Sequence, residues 1–360
     1  VTIIWLPMFF KMVLRKPGMP QDPGTGGIVS SIILNRADSA MNTIPLTLDA
    51  HRPTYTVIGG TRSRGSRDGF PVSVLLLNRG PRLYRSSLLQ DLTHIGFESI
   101  ISMETGSDSP EIESLAARFP NVRFISFQES VSIGDRLNVG MRESGAPYVF
   151  VLWNDMRLAT STLSSRFFEK VVELDVACLV PTIADTQSVV IPSIIHPAMA
   201  RQNLKMVPLT PLKDGEKTIF PFDWSGIYSR EKFMFLGGFD WTIRNPYWQR
   251  LDFGLRAWLW GEELRYAQAL RLKYESIPPA DDVSPDLDYG RFWLKNLAPV
   301  FHGDSAVLPR IRFFPFLAKA RRGPLNALEE FRAARTWINA TAFRFKQDAA
   351  RLADLWDPVH

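Results

Sequence analysis

The strongest constraint on this chain lies between residues 71 and 180, where short apolar runs alternate with helix-period segments at a regular pitch. Val72-Ser-Val-Leu-Leu-Leu77 is bounded by Pro71 and by Asn78-Arg79-Gly80 and has no polar face, as a strand buried on both sides requires. Leu83–Leu92 has helical spacing, and Phe97–Met103 predicts a second strand. Ile112–Phe119 predicts a helix, Val122–Phe127 a third strand, Asp135–Glu143 a further helix, and Tyr148–Trp153 a fourth strand. Such alternation builds βαβ units, and so an α/β domain with a mostly parallel sheet flanked by helices. Ligands of such sheets sit beyond the carboxyl ends of the strands. Glu104, Asp108 and Asp155 all fall at predicted strand ends, which points to one shared crevice.

The flanks read differently. Residues 1–70 mix Gly, Pro, Ser and Thr with short apolar pieces such as Ile28–Leu34 and Tyr55–Ile58, the pattern of an irregular, loosely structured flank. Pro7 and Lys11 interrupt the apolar start well short of a membrane span, and the positive charges follow that stretch instead of preceding it as in a signal peptide. Gly59-Gly-Thr-Arg-Ser-Arg-Gly65 lacks the Lys-Ser/Thr ending of a P-loop and reads as a solvated loop. Residues 309–360 form a helical C-terminal extension, with Leu325, Leu328, Phe331, Ala334, Trp337 and Ile338 at roughly helical spacing. Arg310, Arg312, Lys319, Arg321 and Arg322 are interleaved there with Phe313, Phe314 and Phe316. Two readings stay open for this segment: peripheral contact with an anionic membrane, or a helix packed on the core with a solvated basic face.

Composition narrows the class. A charged fraction of 22% and a hydrophobic fraction of 45% belong to a folded protein. The net charge of +5 suits an anionic ligand, but its arginines are too dispersed for a nucleic-acid module, so no nucleic acid is expected as partner. A lone cysteine, Cys178, rules out an intramolecular disulfide framework or a Cys-rich zinc site, and a reducing, cytoplasmic setting is the expectation.

The order of motifs over residues 71 to about 305 resembles the GT-A glycosyltransferases of the family 2 type, whose domain is Rossmann-like. The Val72-Ser-Val strand leads to a Leu83-Tyr-Arg-Ser-Ser-Leu-Leu-Gln helix, then to Glu104-Thr-Gly-Ser-Asp108 where the family has an Asp-Asp-Gly-Ser-like turn. Asn138-Val-Gly140 is similar to the family's Asn-x-Gly helix, and Tyr148-Val-Phe-Val-Leu-Trp-Asn-Asp155 to the strand ending in its Asp-x-Asp motif. Leu236-Gly-Gly-Phe-Asp240, Asp252-Phe-Gly-Leu-Arg256 and Phe301-His302-Gly resemble the Gly-Gly-Phe-Asp segment, the Asp-Leu-x-x-Arg helix and the late histidine. The resemblance implies a GT-A domain over 71–308, with 71–180 as the nucleotide-binding half and 181–308 as the acceptor half.

It also implies roles. The partners would be a nucleotide-sugar donor and a glycan or lipid-linked acceptor, joined by inverting displacement. Glu104 and Asp108 would face the nucleoside, with Asn154 and Asp155 beside the diphosphate; the alternative for Glu104 is a turn-stabilising side chain. Arg79 and Arg136 suit phosphate oxygens, although ordinary surface arginines look the same in sequence. A divalent cation, Mn²⁺ or Mg²⁺, would be held by Asp155, with His302 either a second ligand or a capped loop histidine. Trp153 replaces the first acid of the Asp-x-Asp motif, which weakens that site.

The base position departs from the family as well. Aligning on Asp252 and Arg256 puts Gln249 and Arg250 where the family carries a Glu-Asp pair, and neither side chain acts as a carboxylate base. Asp252, read as opening a helix, is the first replacement and Asp240 the second. The alternative for Asp252 is a helix-dipole acid. Trp241, Trp248 and Arg256 would line the acceptor side, while Trp258 and Trp260 read as core. The missing acids also leave open a catalytically silent GT-A domain that binds a nucleotide sugar or glycan, or acts as a scaffold. A sugar nucleotidyltransferase is disfavoured, because no Gly-rich Arg-Lys loop ends the first strand.

Overall fold

The computed structural model describes residues 51–60, 70–79, 85–104, 109–159, 163–200, 203–319 and 323–356. Its strands are β1 (Tyr55–Gly59), β2 (Phe70–Leu77), β3 (Phe97–Glu104), β4 (Val122–Phe127), β5 (Tyr148–Trp153), β6 (Met156–Leu158) and β7 (Cys178–Ala184). They continue with β8 (Ile194–Ala200), β9 (Asn203–Leu209), β10 (Gly226–Ser229), β11 (Leu264–Tyr274), β12 (Val300–His302) and β13 (Ser305–Val307). The helices are α1 (Arg85–Ile95), α2 (Ser109–Arg118), α3 (Ile133–Glu143), α4 (Ser165–Leu174), α5 (Arg230–Leu236) and α6 (Pro246–Leu259). After them come α7 (Leu287–Phe292), α8 (Phe313–Lys319), α9 (Pro324–Thr341) and α10 (Ala349–Asp354).

Nine strands form one sheet in the order β1-β4-β3-β2-β5-β10-β7-β11-β6. β4, β3, β2, β5, β7 and β11 run one way, opposed by β1, β10 and β6. The expected α/β class, a mostly parallel sheet flanked by helices, is therefore what the chain adopts. β2 lies between β3 and β5, and its residues from Val72 to Leu77 are buried on both faces, as its unbroken apolar run requires. Ser73, the polar exception, is matched by Ser99 across the ladder at 2.7 Å.

The family-like motifs in the middle of the chain are explained by packing. A Cβ on Gly140 would come within 2.3 Å of Met103 and 2.6 Å of Leu75, so only glycine lets α3 lie this close to β2 and β3. Asn138, two residues earlier on α3, donates to the Phe239 carbonyl at 2.8 Å and accepts the Phe239 N–H at 2.9 Å. That clamp holds the turn through Gly237 and Gly238, whose φ values of 82° and 66° favour glycine.

Two expectations change. Residues 55–59 are a strand pairing antiparallel with β4, so the sheet begins inside the segment read as a loose flank. Gly59 and Gly60 are described, but the rest of the Gly59–Gly65 motif lies outside the described residues. Residues 181–222 carry the β8–β9 hairpin. Asp252 does not open a helix: α6 starts six residues earlier, with Asn245 capping Tyr247 and Trp248 and with Pro246 in the first turn.

The C-terminal extension is docked on the domain. Trp337 of α9 stacks on Trp260 with ring centroids 6.0 Å apart, and Trp356 meets Trp258 edge-on at 4.7 Å. Phe331, Ile338 and Leu352 are buried with them. Ile311 and Phe314 stay exposed beside Arg310 and Arg312. Arg321 and Arg322 lie outside the described residues.

Candidate functional site

The carboxyl ends of β3, β2 and β5 are adjacent, and their last residues are tied together by side chains. Asn78 follows β2 and donates to Ser102 at 3.1 Å and to the Met103 carbonyl at 2.9 Å, with a longer contact of 3.4 Å to Glu104. On its other side, the Asn154 N–H bonds the Leu77 carbonyl at 2.9 Å, and the Asn154 side-chain oxygen accepts the Arg79 N–H at 3.0 Å. One strand end is thus pinned to both neighbours. The acids at 104 and 155 share a single edge, with Asn78 and Arg79 between them.

Glu104 is 2% exposed and ion-paired with Arg85 of α1, itself 2% exposed, while the Ser102 hydroxyl donates to it at 2.7 Å. A buried pair of this kind holds α1 against the edge of the sheet, and removing one partner would leave a charge uncompensated. Asp108 lies outside the described residues.

The other end of the edge is an ionic cluster around Arg79. Its Nε donates to Asp155 at 3.0 Å and one terminal nitrogen meets Asp223 at 2.7 Å. The guanidinium lies 4.2 Å from the ring centre of Trp153, whose indole N–H bonds the Asp223 carbonyl at 2.8 Å. The residue standing where the family has an acid is here the platform for a cation. Burial opposes the charge on Arg79, but Asp223 and Asp155 more than offset it, and its pKa is raised. Asp155 also accepts from Ser276 at 2.5 Å, and its second oxygen is buried with no hydrogen-bond partner among the described residues.

Sequence reasoning missed Asp223, Tyr274 and Ser276. Asp223 is 6% exposed and accepts the Tyr274 hydroxyl at 2.6 Å. Desolvation pushes its carboxyl pKa upward against the pull of Arg79, and pushes that of Tyr274 up as well. Asp223 and Trp224 have φ values of 47° and 64°, a left-handed pair that costs on the order of 1–3 kcal/mol per residue and recurs at functional sites. No pattern around Phe222-Asp223-Trp224 announces this. Ser276, two residues beyond the end of β11, is brought to Asp155 by the sheet alone.

The remaining candidates are drawn inward. Asp252 is fully buried, paired with Arg256 at 2.5 Å and with Asn296 at 2.7 Å. Arg256 also donates to the Gly238 carbonyl. Asp240 is 2% exposed and bonded by Lys295 at 2.6 Å and by Thr242. Burial raises its carboxyl, but Lys295 and Thr242 outweigh that and hold its pKa at about 2. Trp248 is buried against Tyr247, Tyr289 and Phe292, and its indole bonds Ser284. Trp241 is half-buried with His51 stacked on it at 4.8 Å.

Gln249 occupies the first family acid position and bonds Gly134 and the Asp240 carbonyl. Arg250, in the second, reaches out to ion-pair with Asp281, an exposed acid of the loop after β11. A carboxylate therefore stands at the tip of the arginine that replaces one. Arg136 sits one turn into α3, a helix whose capped start follows β4 at the same carboxyl edge. Desolvation lowers its pKa, and its Nε has no partner among the described residues.

The residues present do not fit a divalent cation. Hard cations want six or more oxygen ligands, whereas a guanidinium already stands between Asp155 and Asp223. Among the described residues, no group of three or more His, Cys, Asp or Glu is gathered that could hold a metal. His302 is exposed in the β12–β13 hairpin.

No family model and no curated protein matches the sequence. Solved structures are similar in shape. GalNAc-T7, in a structure with UDP, GalNAc and Mn²⁺, matches over 78% of this chain at 13% identity and a TM-score of 0.49. The chain spans only 58% of the length of that protein. S. aureus TarS residues 1–349 in complex with UDP-GlcNAc matches over 75% of this chain and 72% of that 1–349 chain, at 12% identity and a TM-score of 0.44. Identities this low say nothing about substrate. These two solved structures are of GT-A glycosyltransferases.

Proposed function

We propose that this chain transfers a sugar from a nucleoside-diphosphate donor to a glycan or lipid-linked acceptor. The observation that supports the reading most is the joining of three adjacent strand ends by Asn78, Arg79 and Asn154, with Glu104 on one flank and Asp155 on the other. An α/β sheet binds ligands at such an edge. The nucleoside lies toward Glu104 and the diphosphate toward Arg79, Asn154 and Asp155, with Arg136 a second cation. Asp281 serves as general base. It is exposed to an incoming hydroxyl, and it replaces at the tip of Arg250 the acid that the helix lacks.

In direct displacement, the base takes the acceptor proton as its oxygen attacks the anomeric carbon. The bond to the diphosphate breaks, and the departing negative charge is stabilised by groups already in position. Arg79 is held in such a position by two acids and an indole. Among the described residues no helix is long and apolar enough to cross a membrane. Ile311 and Phe314 beside Arg310 and Arg312 form the surface that would meet a lipid-linked acceptor's bilayer.

The test is transfer and hydrolysis of a panel of nucleotide sugars by the wild-type chain and by Asp155→Asn. Turnover of one donor by the wild type, lost in the variant, is expected. Tight donor binding with no turnover would leave the silent-domain reading instead.

A further inference from the structure

We infer that the Arg79 guanidinium takes the place of a divalent cation, so that this site grips a donor diphosphate without metal. The inference rests on the transferase reading above and adds to it the identity of the charge that meets the phosphates.

One oxygen of each acid that a metal would draw on is already engaged by a guanidinium nitrogen. Asp155 is bonded by Arg79 at 3.0 Å and by Ser276 at 2.5 Å, and Asp223 by Arg79 at 2.7 Å and by Tyr274 at 2.6 Å. A cation inserted between these carboxylates would meet the guanidinium at contact distance, where like charges repel strongly. The substitution of Trp153 for an acid belongs to the same arrangement. Where a carboxylate would have helped to hold a metal, an indole face at 4.2 Å supports a planar cation.

The guanidinium is also left with something to give. Its second terminal nitrogen, buried within the cluster, has no hydrogen-bond partner among the described residues. Forked N–H donors of this kind match phosphate oxygens. One guanidinium against two carboxylates supplies less positive charge than a divalent ion would. Arg136, in the first turn of the helix that follows β4, also has an Nε without a hydrogen-bond partner among the described residues.

The experiment is calorimetric titration of UDP, GDP, CDP, ADP and dTDP into the full chain, once in excess EDTA and once with MnCl₂. At least one nucleotide is expected to bind with affinities that agree within about two-fold in the two buffers. Arg79→Met should weaken that nucleotide at least about ten-fold in EDTA, the scale of a lost charge-assisted hydrogen bond. Thermal unfolding would establish that the variant is folded. Arg79→Lys, which keeps a charge but not the fork, should recover only part of the loss. Wild-type binding that appears only with Mn²⁺, or is ten-fold tighter with it, overturns the inference and leaves the transferase reading standing. Binding of none of the five in either buffer removes the transferase reading, and the inference with it.

Discussion

Asp240 belongs to a segment that resembles a catalytic motif, yet its surroundings make it a structural ion. Asp240→Asn, Lys295→Met and the double variant test this. The wild-type carboxylate is 2% exposed and its pKa is held at about 2, against an ordinary 3.8. A shift of that size corresponds to about 2 kcal/mol of stability above the unfolded value. Lys295→Met leaves Asp240 with its Thr242 bonds but no countercharge, which should cost about 3 kcal/mol at pH 7. Asp240→Asn leaves the ammonium of Lys295 with Asp252, 3.8 Å away, and the face of Trp337, and should cost a similar amount. The double variant should recover about 2 kcal/mol as a coupling energy.

The sign with pH follows from the depressed pKa. The contribution is complete above about pH 4 and is lost as pH falls toward about 2. The stability difference between wild type and Asp240→Asn should therefore be flat from pH 5 to 8 and shrink in acid. Urea unfolding measured by fluorescence supplies each number. A coupling energy below about 0.5 kcal/mol would refute the reasoning. So would an Asp240→Asn protein as stable as wild type that had lost only turnover.

Other variants probe other links. Asp281→Asn should lower kcat by about a hundred-fold or more while leaving donor affinity unchanged, the split expected of a general base, in a steady-state assay. Gly140→Ala should destabilise the domain by about 1–3 kcal/mol in thermal or urea unfolding, because its methyl would press into Leu75 and Met103. Replacing Ile311 and Phe314 together with Ser should abolish co-sedimentation with vesicles containing phosphatidylserine without lowering the melting temperature, since both side chains are exposed.

The sheet was readable because its central strands are buried on both faces, and continuous apolar runs such as Val72–Leu77 and Tyr148–Trp153 have few other uses. Asn138 and Gly140 stood out only through the family resemblance, and the structure supplies the reason: one close helix–strand approach and one backbone clamp demand those two residue types. The start of α6 was signalled by Asn245-Pro246, and taking Asp252 as the helix opening overlooked it. Asp223 gave no comparable signal. Its importance comes from a left-handed backbone in an irregular stretch and from contacts with Arg79 and Tyr274, which the fold alone brings together. Trp153 was legible as a departure from the family, but its role as a support for Arg79 was not. That role depends on the register joining Leu77 to Trp153.

A crystal structure with a bound nucleoside diphosphate tests the central claim most directly. The diphosphate should rest against Arg79 and Asn154, with the nucleoside running along the strand ends toward Glu104. Density in the cavity toward the outer strands, lined by Arg157, Thr182 and Lys273, with Arg79 untouched, would contradict it.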